Sequence, residues 1–153
     1  MEEISEEKIE SEFKEYVKEF KSILNNDSVT NNVELDAAGS KYIKNWGGIF
    51  MVDEPTGYEN TNKKKSFIIN TDRLSQKGEH WVAIHKSNKN KYYIFDSFGR
   101  PSDKLIQSFV YNKKYTDADD DQNQRDEAED CGQRCLGFLK VIDEYGVAAA
   151  MLI

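Results

Sequence analysis

Only two cysteines and two histidines occur in the 153 residues, and this scarcity narrows the available chemistry at once. Cys131 and Cys135 stand four positions apart, so on a helix they share a face. A bridge between them would close too short a loop to stabilise a fold. The pattern fits a reducing compartment with a reactive thiol better than a secreted disulfide scaffold. Long apolar runs are missing as well, so no membrane span and no membrane partner are expected. The acidic start, Met1 to Glu7, has neither the basic nor the apolar region of a signal peptide. Positive charge is short, with 21 Lys and Arg against 28 Asp and Glu for a net charge of −7. That balance argues against a broad nucleic-acid-binding face. The lysines at Lys63-Lys64-Lys65 and between Lys86 and Lys91 read as solvated loop tips. No internal repeat is visible, and nothing in the residue pattern calls for a metal or a cofactor.

What is present reads as one domain over residues 1–153, with an N-terminal helical region, 1–30, and a core, 46–145. Phe13, Tyr16, Val17, Phe20, Ile23 and Leu24 repeat at helical spacing. They predict an amphipathic helix from residue 5 to about 24, capped by Ser5 and ended by Asn25-Asn26-Asp27. A polar stretch follows, with Val33 and Leu35 as anchors. Ile49 to Val52 and Ser66 to Asn70 read as strands around a turn-rich insert, Asp53 to Lys65. Trp81 to His85 and Lys91 to Phe95 predict a hairpin turning through Lys86 to Asn90. A helix starting at Ser102, with Leu105, Ile106, Phe109 and Val110 facing inward, comes next. Tyr115 to Asp130 is acidic and reads as a loop or a frayed strand. The last helix begins at Cys131, carries Cys135, Phe138, Leu139 and Ile142 on its apolar stripe, and ends at Gly146. The apolar tail, Val147 to Ile153, is expected to be buried in the domain or against a partner.

Four side chains of complementary chemistry lie along this framework. Cys131 opens a helix, where the dipole and the orphan amides favour a thiolate. Gly132 beside it lets a substrate backbone come close. Asp126, Glu127, Glu129 and Asp130 oppose ionisation, so a thiolate at Cys131 would depend on a histidine partner. Cys135, one turn inward, fits a buried structural thiol. His80 opens the hairpin and Asp96 ends it, so antiparallel pairing makes them neighbours and lets the carboxylate orient the imidazole. An amide from Gln124, or from the competing Gln122, would complete an oxyanion hole with the Cys131 backbone N–H. A thiol, an imidazole, a carboxylate and an amide are the parts a cysteine hydrolase needs.

Three segments together resemble the adenovirus-type maturation proteases, relatives of the ubiquitin-like-protein-specific cysteine proteases with members in virophages, large DNA viruses and virus-like transposons. They are Gly78-Glu79-His80-Trp81-Val82-Ala83, Tyr93-Ile94-Phe95-Asp96-Ser97-Phe98-Gly99, and Gln124 with Asp130-Cys131-Gly132-Gln133-Arg134-Cys135-Leu136. The resemblance runs from about Trp46 to Leu139, and its order His–acid–Gln–Cys is typical of that group. It implies that Cys131 is the nucleophile, His80 the general base, Asp96 the orienting acid and Gln124 the oxyanion amide. It further implies that Trp81 lies beside the active site, and that Trp46, Gly47 and Gly48 line a narrow groove for glycine-containing substrates. Adenovirus proteases use DNA and a disulfide-bonded peptide as activators. This chain is acidic and has no cysteine between Asp96 and Gln124, so neither activation is expected here.

These readings predict an α+β fold. A small, mostly antiparallel sheet carries His80 and Asp96 and packs against the Cys131 helix, with the N-terminal amphipathic helix alongside. The implied activity is that of a cysteine endopeptidase cutting viral structural precursors, capsid proteins above all, after small residues or glycine during virion maturation. The implied setting is the virion and the cytoplasm or nucleus of the infected cell. Rival expectations are a deconjugating protease for ubiquitin-like proteins, an acetyltransferase of related fold, and a catalytically inert capsid-associated or adaptor module.

Overall fold

The computed structural model describes residues 5–24, 32–51, 65–70, 80–87, 91–97, 114–118 and 131–153. In chain order they form α1 (Glu6–Ile23), α2 (Asn32–Tyr42), β1 (Trp46–Met51), β2 (Ser66–Asn70), β3 (Trp81–Lys86), β4 (Tyr92–Phe95), β5 (Tyr115–Asp117), α3 (Cys131–Tyr145) and α4 (Val147–Ala150). The five strands lie side by side in the order β1-β2-β3-β4-β5. The fold is α+β, and its sheet is mixed. The two inner pairings, β2 with β3 and β3 with β4, are antiparallel. Both outer strands pair parallel to their neighbours. Antiparallel partners can follow one another through a tight turn, whereas parallel partners need a longer connection, so the outer pairings escape a local reading.

Alternation along the strands separates two apolar faces. Ile68, Trp81, Ala83 and Phe95 join the larger cluster, with Ile9, Phe13, Val17 and Phe20 of α1 and Cys135, Phe138 and Leu139 of α3. Phe67, Ile69, Val82, Ile84 and Ile94 build a second cluster on the other face. Phe95 joins the helices to the sheet: its ring stacks on Phe138 at 4.8 Å and meets Phe13 edge-on at 5.8 Å.

Ser5 caps α1 as its sequence position predicts, its hydroxyl accepting from the Lys8 N–H at 3.2 Å. The buried stripe is Ile9, Phe13, Val17 and Phe20. Ile23, expected on that stripe, is 43% exposed instead, because the stripe drifts off the contact at the helix end. Gly137 lets α1 approach α3 closely, since a Cβ there would meet Val17 Cγ2 at 2.9 Å and the Phe13 ring at 3.2 Å.

The segment 32–42, expected as a polar stretch, is a helix. Only Leu35, Ala38 and Gly39 are buried on it, too few to show as periodicity, and Val33 is 79% exposed. β1 starts at Trp46, three residues earlier than expected. A bulge lets the Gly-Gly pair continue the strand: Trp46 pairs with Ser66 but Gly48 with Phe67, so Gly47 is the extra residue. Gly48 has φ 107°, a conformation that a side chain would strain. At the other end of the chain, the tail folds back on the core with Ala149, Ala150 and Ile153 buried. The helix expected from Ser102 lies outside the described residues.

Candidate functional site

The β3–β4 hairpin is in register through Ala83 opposite Phe95. The residues just beyond this paired segment are thereby brought to one end of the sheet. His80 precedes β3 and Asp96 follows β4, and His80 Nε2 lies 2.8 Å from Asp96 Oδ1. The side chains are 12% and 2% exposed. A carboxylate so nearly removed from water holds the ring strongly and selects which nitrogen faces it. Nδ1, also buried, is left as the nitrogen facing away from the carboxylate.

Cys131 is the first residue of α3 and is 2% exposed, with Gly132 and Gln133 buried behind it. One turn later, the Cys135 thiol donates to the backbone carbonyl of Trp81, 3.3 Å away. That bond ties the Cys131 helix to the residue next to His80. Burial pushes the Cys135 thiol well above its usual range. Negative charge on Cys131 and Asp96 adds to this, and a backbone hydrogen bond from Ala83 opposes it. Cys135 therefore stays a neutral thiol, and its bond to Trp81 is the contact by which α3 reaches the residue next to His80. Of the two cysteines, Cys131 is the one at the helix start, where the orphan amides favour a thiolate.

The second histidine serves structure. His85 pairs across the strands with Ser66, whose Oγ is 2.9 Å from His85 Nδ1. Burial, with a smaller contribution from the Lys65 charge, lowers His85 from 6.5 to about 4. The imidazole of the unfolded chain thus takes up its proton near pH 6.5, and that of the folded chain only near 4. Stability is fully present above that window and falls as the pH drops through it, by about 3 kcal/mol in total. Urea unfolding at pH 7 and pH 4.5 should show this loss in the wild type and a smaller one in His85→Gln. Parallel losses in the two proteins would contradict the assignment.

The two tryptophans sit deeper than an open groove requires. Trp81 is 1% exposed, and its indole N–H donates to Asn32 Oδ1 at 2.9 Å. Trp46 is half-buried. Its N–H donates to Asp36 Oδ1 at 2.8 Å, and its ring lies over Gly39, where a Cβ would come within 2.3 Å of it. Gly47 and Gly48, half-buried in β1, form the bulge described above. Gln124 and Gln122 lie outside the described residues, as does the acidic segment Asp126 to Asp130. Among the described residues no cluster of three or more His, Cys, Asp or Glu side chains could hold a metal ion, and no helix is long and apolar enough to cross a membrane. Asn32, Asp36 and Ser66, which fix these rings, gave no signal in the sequence, since each is an ordinary polar residue in a polar context.

The arrangement offers a thiol at a helix start, a histidine fixed by a buried carboxylate, and a neutral second thiol that joins their supports. A family model described as adenovirus endoprotease matches residues 46–143, from the start of β1 to the last turns of α3. A comparison with curated proteins finds no match.

Proposed function

Because this chain belongs to the adenovirus endoprotease family, a family of cysteine peptidases, we propose that it is an active cysteine endopeptidase with Cys131 as nucleophile. The observation that carries this reading is the 2.8 Å contact of His80 Nε2 with Asp96 Oδ1, with the Cys135 thiol of α3 bonded to the neighbouring Trp81 carbonyl.

With Nε2 held by the carboxylate, Nδ1 is the atom that exchanges protons. His80 takes the Cys131 thiol proton as the sulfur attacks the carbonyl carbon of the scissile bond. The oxygen becomes an oxyanion, held by the Cys131 backbone N–H and, in this proposal, by the Gln124 amide. His80 then returns the proton to the leaving amine, the C–N bond breaks and a thioester remains. Water, deprotonated by His80, attacks the thioester and releases the carboxylate product, and the proton goes back to the sulfur. Asp96 stays ionised throughout, orienting the ring and stabilising its charged form.

The substrates we propose are viral structural precursors, capsid proteins among them, cut after glycine or another small residue during maturation in the virion or infected cell. Gly47, Gly48 and Gly132 fit this role, because positions without a Cβ admit an extended peptide closely. The test is incubation of the full chain with capsid-precursor proteins and with peptides containing Gly-Gly. Wild type should cut at a small residue, and Cys131→Ala should show no turnover above background. Equal cleavage by the two proteins would refute the mechanism. Transfer of acetyl groups from acetyl-CoA without peptide cleavage would refute the peptidase activity.

A further inference from the structure

Both tryptophans of the chain give their indole N–H groups to one helix. The acceptors on α2 are Asn32, for Trp81 at 2.9 Å, and Asp36, for Trp46 at 2.8 Å. Four residues apart, the two acceptors share a helix face. They reach different strands: Trp81 is the immediate neighbour of His80 on β3, and Trp46 precedes Gly47-Gly48 on β1.

The far end of α2 is fixed to the nucleophile helix. The Lys44 N–H donates to Asp143 Oδ2 at 2.8 Å, and Lys140 Nζ donates to the Tyr42 carbonyl at 3.3 Å. The Trp81 carbonyl is in turn held by the Cys135 thiol. One short helix, which precedes the segment matched to the family, therefore connects the nucleophile's support, the histidine's strand and the glycine strand.

We propose that α2 positions the site, with Asn32 and Asp36 as positioning residues that act through the tryptophans. Asn32 sets the distance of His80 from Cys131, which governs the chemical step. Asp36 sets the place of the Gly47-Gly48 strand, which governs how the peptide is held. The division follows from where each indole sits. Trp81 is 1% exposed, so rotation of its ring moves the backbone at His80. Trp46 is locked between Asp36 and Gly39, so its release moves the bulge. The proposal rests on reading the chain as a peptidase.

Steady-state cleavage of a Gly-Gly peptide by the full chain separates the two roles. Asn32→Leu should lower kcat about tenfold with KM within about twofold, the cost of a misplaced catalytic group. Asp36→Leu should raise KM about tenfold with kcat within about twofold, the mark of lost ground-state binding. Asn32→Asp and Asp36→Asn keep an acceptor oxygen and should recover to within about threefold of wild type. Each leucine variant should move one of the two indole N–H signals in a proton–nitrogen correlation spectrum that otherwise stays dispersed. Should a leucine variant fail to fold, Asn32→Ser and Asp36→Ser, too short to reach the indoles, carry the same expected split.

Equal changes of kcat and KM in both variants, or conservative variants as impaired as the leucines, would overturn the proposal. If the wild type cuts no peptide, the peptidase reading falls and iodoacetamide alkylation of Cys131 decides the geometry alone. Slower alkylation in Asn32→Leu but not in Asp36→Leu supports positioning through Trp81. Equal rates refute it.

Discussion

Replacing His80 by alanine should lower kcat for peptide cleavage about a thousandfold to ten-thousandfold while KM stays close to wild type, the size of effect that general acid–base catalysis supplies. The loss is expected to be this large because, among the described residues, neither the second histidine nor the second cysteine can take over. The one other histidine is His85, near the far end of β3, where burial and the Lys65 charge hold it neutral down to about pH 4. Cys135, although close, is kept protonated by burial. Asp96→Asn should cost less, about a hundredfold to a thousandfold, because the ring keeps a partner of the same shape but loses the charge that stabilises its protonated form. The fold should survive both changes, which circular dichroism and thermal melting check. A kcat for His80→Ala within tenfold of wild type would show that the imidazole is not the proton carrier.

The second large effect is on stability. Phe13→Ala should cost about 3–5 kcal/mol, as expected for an aromatic side chain removed from a well-packed site, and lower Tm by about 10 °C in a chain of this size. Phe13 is 1% exposed and packs edge-on against Phe95, which stacks on Phe138. One ring from α1, one from β4 and one from α3 thus form a column through the core. Gly137 lets α1 in too closely for a shifted backbone to fill the gap. Phe95 directly precedes Asp96, so a loosened column also loosens the carboxylate, and activity should fall before the melting transition. A loss below 1 kcal/mol in urea unfolding would mean that α1 is an appendage instead of part of the core.

The His80–Asp96 pairing and the start of α3 were readable in the sequence because their parts are local. The hairpin declares itself through strand-forming residues on either side of a polar turn, and its two ends carry His80 and Asp96. The start of α3 is marked by the change from an acidic stretch to an apolar stripe. Ser5 announces the first helix. The elements that escaped are those whose cause lies far away in the chain. α2 has almost no apolar stripe, since it is held by Asn32 and Asp36 bonding to indoles and by a glycine lying under a ring. The early start of β1 depends on a bulge at Gly47 that only the pairing with β2 reveals. β5 is three residues long and gains its order from parallel pairing with β4. Hydrophobic patterning reports burial, and it is faint in a helix that buries only Leu35, Ala38 and Gly39.

The most direct test of the central claim is a short Gly-Gly peptide with a C-terminal electrophile, incubated with the full chain and followed by intact mass and peptide mapping. One adduct on Cys131, with Cys135 unmodified and labelling at least about a hundredfold slower in His80→Ala, is the predicted result. Labelling of Cys135, or equal labelling of Cys131 with and without His80, would contradict it.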